Sequence, residues 1–203
     1  MNNLQDQEEY PGNLIVLYGV NNCGKTTQAN MLVESVQELG YDAEHLKYPI
    51  YDINPSGEYI NEVLRKGKKV SPKELQLWYA LNRHQYEEQL FKKLQEGIVV
   101  IAEDYIGTGI AWGMAHGVPK ETLREINKDL YPEDLGILLR GARYTDAVEK
   151  GHLHEEDDEL VERCTEIHNE LAAQYGWVPI NAAQEKENVH KDIMRVVDPF
   201  LDL

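Results

Sequence analysis

The sequence predicts an α/β fold, a mainly parallel five-stranded sheet flanked by helices in three layers. Two observations predict it. Five short strand-like segments, most of them apolar runs, alternate with longer segments of helical period. The first run leads through a glycine-rich loop into a helix pattern, the way parallel strands are joined. No linker, repeat or low-complexity tract divides the 203 residues, so 1–203 reads as a single domain.

Each element has its own signal. Asn13 to Gly19, NLIVLYG, is a continuous apolar run and reads as a strand buried on both faces. KTTQANMLVESVQELG follows, with Ala29, Leu32, Val33 and Val36 at helical spacing and Gly40 as its stop. DAEHLKYP is a second strand ending at Pro49, and INPSGEYINEVLRKG a turn and a short helix. SPKELQLWYALNRHQYEEQLFKKLQEG opens on a Ser71 cap with Pro72 at the first helical position, closes on Gly97, and is the longest helix. Ile98 to Asp104, IVVIAED, is a buried strand ending in carboxylates. TGIAWGMAHG and PKETLREINKDL read as helices, DLGILLRG as a strand, DAVEK as part of a helix and GHLHEEDD as a loop. DELVERCTEIHNELAAQYG is a long helix, WVPINA the last strand and KENVHKDIMRVVDPFL the last helix. The segment at about 146–158 is the candidate lid.

Composition narrows the function. A net charge of -16 argues against a binder of nucleic-acid polymers, which needs a basic stripe, but leaves room for a small nucleotide held by a local cradle of N–H groups. Cys23 and Cys164 are too few for a zinc or disulfide framework, so a reduced, cytoplasmic setting is expected. The opening MNNLQDQEEYPGN is polar and acidic, unlike a signal or transit peptide, and no apolar run has the length of a membrane span.

The chemistry starts at GVNNCGKTT, Gly19 to Thr27. It fits G-x-x-x-x-G-K-[ST] at every fixed position and lies between a strand and a helix, as a phosphate loop (P-loop) of the P-loop NTPase fold requires. Gly19 and Gly24 let the backbone wrap an anion, with N–H groups from Asn22, Cys23, Gly24 and Thr27 available to ATP. Lys25 is expected to reach the β- and γ-phosphates and the Thr26 hydroxyl to ligate Mg²⁺. Cys23, near Lys25 and a helix start, has features that lower a thiol pKa; a redox role and a merely fitting small side chain both stand open.

Three motifs in order, LYGVNNCGKTTQANML, LWYALNRHQYEEQL and VVIAEDYIGTGIAW, resemble the thymidylate kinases, a branch of the P-loop nucleoside-monophosphate kinases. The resemblance runs over nearly the whole chain. It implies ATP and Mg²⁺ as cofactors, nucleotides as partners and a homodimer packed through helices. It implies that Tyr79 stacks on a pyrimidine and that Arg83 hydrogen-bonds the base edge. Read without it, Tyr79 is helix core and Arg83 a surface charge beside Glu87. It also implies that Glu103 stands at the strand-end carboxylate, a catalytic and metal-water position, and that Tyr105, Thr108 and Trp112 line the acceptor pocket with Asn21, Lys47 and Tyr48.

The chain departs from this pattern in one direction. Where the family has D-R-Y, Asp104 replaces the arginine; Asn21 and Asn22 stand where members place an aspartate and an arginine; the lid stretch EKGHLHEEDDE holds Lys150 but no arginine. Stabilising a transferring phosphoryl group needs cations. Lys47, Arg140, Arg143, Lys150 and Arg163 are the candidate replacements. His152 and His154, beside acidic residues, admit a zinc reading or that of a polar lid.

The leading reading is ATP-dependent phosphorylation of deoxythymidine monophosphate to the diphosphate. The alternatives are a deoxynucleoside kinase, with Glu103 or Asp104 as base toward a 5′-hydroxyl, and a nucleotide-binding protein with weak or lost turnover.

Overall fold

The computed structural model describes residues 10–141 and 158–201. Five parallel strands form one sheet: β1 (Leu14–Tyr18), β2 (Ala43–Lys47), β3 (Val99–Glu103), β4 (Leu135–Arg140) and β5 (Val178–Asn181), in the order β2-β3-β1-β4-β5. Among the described residues, seven helices connect or flank them: α1 (Lys25–Glu38), α2 (Ser56–Lys66), α3 (Pro72–Gln95), α4 (Ile106–Ala115), α5 (Lys120–Glu125), α6 (Asp158–Tyr175) and α7 (Lys186–Leu201). The five strands and the three layers are those expected. PKETLREINKDL forms a helix only over Lys120–Glu125. DAVEK, the first seven residues of GHLHEEDD, and so residues 146–157 of the candidate lid, lie outside the described residues, as do the first nine residues; Asp158 opens α6.

Burial on both faces explains the apolar runs. Along β1, Leu14, Val16 and Tyr18 enter a core with Leu90, Leu94, Ile110 and Leu171, beneath α3, α4 and α6. Ile15 and Leu17 enter the other core with Leu32, Val36, Ile193 and Val197, beneath α1 and α7. Alternating side chains thus feed two separate apolar layers, each fully buried aliphatic contributing about 1.5–3 kcal/mol. Ser71 caps α3 by accepting from the Glu74 N–H at 3.1 Å, with Pro72 behind it, as its sequence requires.

The same alternation builds the site. On β3, Val99 and Ile101 face α1, and the next residue in that phase is Glu103. On β2, Ala43 faces α1, and His45 and Lys47 follow in phase. The parallel register sets Lys47 beside Glu103 and His45 beside Ile101. β1 and β3 end side by side, with Leu17 opposite Glu103. Their continuations run to opposite sides, β1 to β2 and β3 to β4, the switch point at which open α/β sheets bind ligands.

Candidate active site

β1 ends at Tyr18, and the chain turns from Gly19 to Gly24 before α1 starts at Lys25. Gly24 takes φ 93°, ψ 11°, the left-handed region that a Cβ disfavours. No acidic residue occupies the first turn of α1, so its N–H groups and positive dipole end are left for an external anion. The Lys25 Nζ curls back over the loop and donates to the carbonyls of Gly19 (3.0 Å) and Val20 (2.9 Å). It also lies 3.4 Å from Asp104 Oδ1. Burial alone pulls the ammonium down, but Asp104, Cys23 and Glu103 together hold it above its ordinary value, so it stays charged.

The carboxylate of Glu103 is fully buried and both its oxygens are engaged. Oε2 accepts from Thr26 Oγ1 at 2.8 Å and lies 3.4 Å from Lys47 Nζ, which also donates to Thr26 Oγ1 at 3.0 Å. Oε1 is 2.7 Å from His45 Nε2. Burial pushes the carboxyl up, yet the His45 hydrogen bond, the Lys47 charge and the Thr26 hydrogen bond bring it below the usual glutamate range. Thr26 and Glu103 form an oxygen-only pair at the mouth of the loop, donors of the kind Mg²⁺ takes. Asp104, next in line, takes φ 61° and accepts from Thr108 Oγ1 at 3.3 Å. Its carboxyl is pushed up by burial, an effect the Lys25 charge opposes.

A cavity of about 1060 Å³ opens from this loop. Beyond Glu103 and Asp104 it continues along Lys47, Tyr48, Tyr51, Arg65, Gln76, Tyr79, Arg83, Thr108 and Trp112. On α3, Gln76, Tyr79 and Arg83 fall at helical spacing and present one face to it. Arg83 is buried: Nη1 donates to Asn127 Oδ1 at 2.9 Å, and Nε has no partner among the described residues. Burial pulls its pKa down, and no described carboxylate is paired with it. Gly109 makes room for it, since a Cβ there would meet Arg83 Nη2 at 2.5 Å. Asn82, also buried, clamps the loop after β2 by accepting from the Ile50 N–H (2.7 Å) and donating to the Ile50 carbonyl (2.8 Å) and Ser56 Oγ (2.9 Å).

Residues 17–193 match the family model Thymidylate kinase. The chain belongs to the thymidylate kinase family. It is 28% identical over 188 residues to the human thymidylate kinase, covering 90% of this chain and 88% of that protein. It is 32% identical over 200 residues to a probable thymidylate kinase of Pyrococcus abyssi, covering 92% and 96%. A solved thymidylate kinase structure from Candida albicans shares the fold, with a TM-score of 0.75 at 21% identity over 93% of this chain and 92% of that one.

Against this family pattern, the cavity brings together Asn21, Asn22, Cys23, Gly24, Lys25, Thr26, Thr27, Lys47, Tyr48, Tyr79, Arg83, Glu103, Thr108 and Trp112. Two residues expected at the site do not line it. Gly19 contributes its carbonyl to Lys25 instead. Tyr105 is core: its hydroxyl donates to the Tyr131 carbonyl at 3.0 Å, because α4 begins one residue later and turns its ring into the layer below. The surface pairing of Arg83 with Glu87 is replaced by burial against Asn127, while Glu87 accepts from the Tyr131 N–H. The Cys23 thiol is not lowered: burial pushes it up, and the nearby Lys25 only partly offsets this.

Of the candidate replacement cations, Lys47 is in the cavity. Arg140 is exposed at the end of β4, and Arg163 donates to the Ala115 carbonyl at 3.1 Å, tying α6 to α4. Arg143, Lys150, His152 and His154 lie outside the described residues. His45, Asn82, Asp104 as partner of Lys25, and Arg65 were not singled out from the sequence. His45 was accessible in principle, two residues before Lys47 on one strand face, but its value depends on β2 lying beside β3.

Proposed function

We propose that this chain is an ATP-dependent nucleoside-monophosphate kinase that phosphorylates deoxythymidine monophosphate. The observation that carries the reading is one continuous cavity, lined by the phosphate loop and by an aromatic face beside a buried arginine with no described carboxylate partner. A polyphosphate at Lys25 and a pyrimidine at Tyr79 and Arg83 would occupy one continuous space. An oxygen of the acceptor phosphate attacks the γ-phosphorus, and the bond from that phosphorus to the β,γ-bridging oxygen breaks, its electron pair leaving on ADP. No strong base is needed, because a phosphate oxygen is already a nucleophile.

The loop N–H groups from Asn22 to Thr27 and the Lys25 ammonium hold the donor phosphates and stabilise their charge. Thr26, with Glu103 behind it, would hold Mg²⁺, which neutralises phosphate charge when bound. Tyr79 stacks on the pyrimidine, and Arg83 offers its fixed donors to a base carbonyl, a geometry that favours thymine or uracil over cytosine. Thr108, Trp112, Tyr48 and Asn21 wall the acceptor space. The reading treats the chain as one domain in the cytoplasm. Leu77 and Leu81, exposed one turn apart on α3, offer an apolar patch to a second copy, a pairing that light scattering measures.

The test is ADP release from Mg²⁺–ATP with a panel of nucleosides and nucleoside monophosphates. Turnover is expected with deoxythymidine monophosphate and not with thymidine; turnover with nucleosides alone would sink the reading. Lys25→Ala is expected to lose at least roughly a hundredfold in turnover, as for removal of a transition-state charge donor.

A further inference from the structure

We propose that Arg65 binds the phosphate of the acceptor nucleotide, an assignment that rests on the monophosphate-kinase reading above. Among the described residues, five basic side chains line the cavity: Lys25, Lys47, Arg65, Arg83 and Lys186. Three of them already face carboxylates. Lys25 is 3.4 Å from Asp104, Lys47 is 3.4 Å from Glu103, and Lys186 is 3.8 Å from Glu187. Arg83 is buried beside Tyr79 and donates to Asn127, which commits it to the base end. Arg65 has no ion pair with a described carboxylate; its guanidinium lies over the Tyr51 ring, 4.8 Å from the centroid.

The backbone places this arginine with some care. Arg65 sits in the last turn of α2, and its neighbour Leu64 is buried. α2 packs on α3, the helix that carries Tyr79 and Arg83. Tyr51 belongs to the segment between β2 and α2 that Asn82 clamps at Ile50 and Ser56. Two basic residues close α2, and both suit its negative end. Lys66 does not line the cavity, whereas Arg65 does.

The charge balance gives the arginine its work. An acceptor phosphate enters a cavity that already holds Glu103 and Asp104 and receives the phosphates of ATP. A cation already neutralised by a carboxylate attracts it weakly. An unpaired guanidinium presents a planar fork that matches two phosphate oxygens, and the aromatic face beneath it restrains its orientation at little cost.

Calorimetry with deoxythymidine monophosphate and with thymidine tests this, on the wild-type chain, Arg65→Gln and Arg65→Lys. Arg65 is exposed, so the variants retain the fold. Arg65→Gln is expected to weaken monophosphate binding roughly tenfold to hundredfold, the range for a hydrogen-bonded charge, with Arg65→Lys between the two. Thymidine and ATP affinities are expected to be unchanged. An equal loss for thymidine, or no loss for the monophosphate, overturns the assignment to Arg65 and leaves the kinase reading intact. A wild-type chain that neither binds nor phosphorylates the monophosphate removes the reading itself, and the assignment with it.

Discussion

His45 Nε2 lies 2.7 Å from Glu103 Oε1, while Thr26 Oγ1 lies 2.8 Å from the other oxygen of the same carboxylate. The imidazole therefore fixes which oxygen of a fully buried carboxylate faces the phosphate loop. Partners of this kind orient the groups that meet a metal, and their loss costs about 10–100-fold in metal affinity or activity. His45→Ala is expected to raise the Mg²⁺ concentration for half-maximal ADP release by about tenfold. His45→Gln, which can still donate a hydrogen bond, should recover part of it. Magnesium titrations alike for all three proteins would show that His45 has no hold on the site.

On the proposed function, Asp104 would compete with ATP for Lys25. Its carboxylate pairs with the ammonium that is to meet the phosphates, and its own charge opposes theirs. Asp104→Asn keeps a side chain that tolerates φ 61° and removes the charge. ATP should then bind several-fold more tightly, on the order of 1 kcal/mol. Fluorescence titration with a nucleotide analogue measures this; weaker binding would mean that Asp104 aids rather than restrains Lys25.

Gly109→Ala separates stability from acceptor recognition. Alanine within α4 is favoured over glycine by about 1 kcal/mol, which offsets part of the cost of disturbing buried Arg83, so the melting temperature should fall only by a few degrees. The added Cβ meets the Arg83 guanidinium at 2.5 Å and must displace it from Asn127. The KM for the acceptor is expected to rise at least roughly tenfold, the loss of a hydrogen bond to a charged group, with that for ATP unchanged. An unaltered acceptor KM would mean that Arg83 does not touch the base.

His168 couples the fold to pH. Its side chain is buried in α6, where burial lowers its pKa to about 4 while its contact with the Cys164 carbonyl resists the change. The unfolded chain has the ordinary value near 6.5, so between pH 6.5 and 4 the unfolded state binds more protons. Stability contributed by the neutral ring is complete above pH 6.5 and falls as the pH drops through that window. Near pH 5 the loss relative to pH 7 is about 2 kcal/mol. Urea unfolding at the two pH values, compared between wild type and His168→Gln, reads this directly. Equal pH slopes would assign the acid sensitivity elsewhere.

The phosphate loop was legible because its chemistry is local. Glycines, a lysine and a threonine at fixed spacing dictate one backbone path, and Gly24, Lys25 and Thr26 stand where the motif puts them. The strands were legible for a similar reason: runs such as LIVLY and VVIA put apolar side chains on both faces, so they need apolar cover on both sides. Tyr105 was not. Its place beside lining residues in the sequence suggested the pocket, but the start of α4 rotates it into the core.

What the sequence by itself determined is the alternation of strand and helix and the donor loop. Both follow from periodicity and spacing within one segment. The tertiary structure alone decided which charges meet. Glu103 joins His45 because β2 is paired with β3, Asp104 joins Lys25 because β3 is paired with β1, and Arg65 enters the cavity because α2 packs on α3. Ion pairs and hydrogen bonds depend on distances of a few ångströms between segments tens of residues apart. Those distances are set by strand order and helix packing, which no single segment encodes.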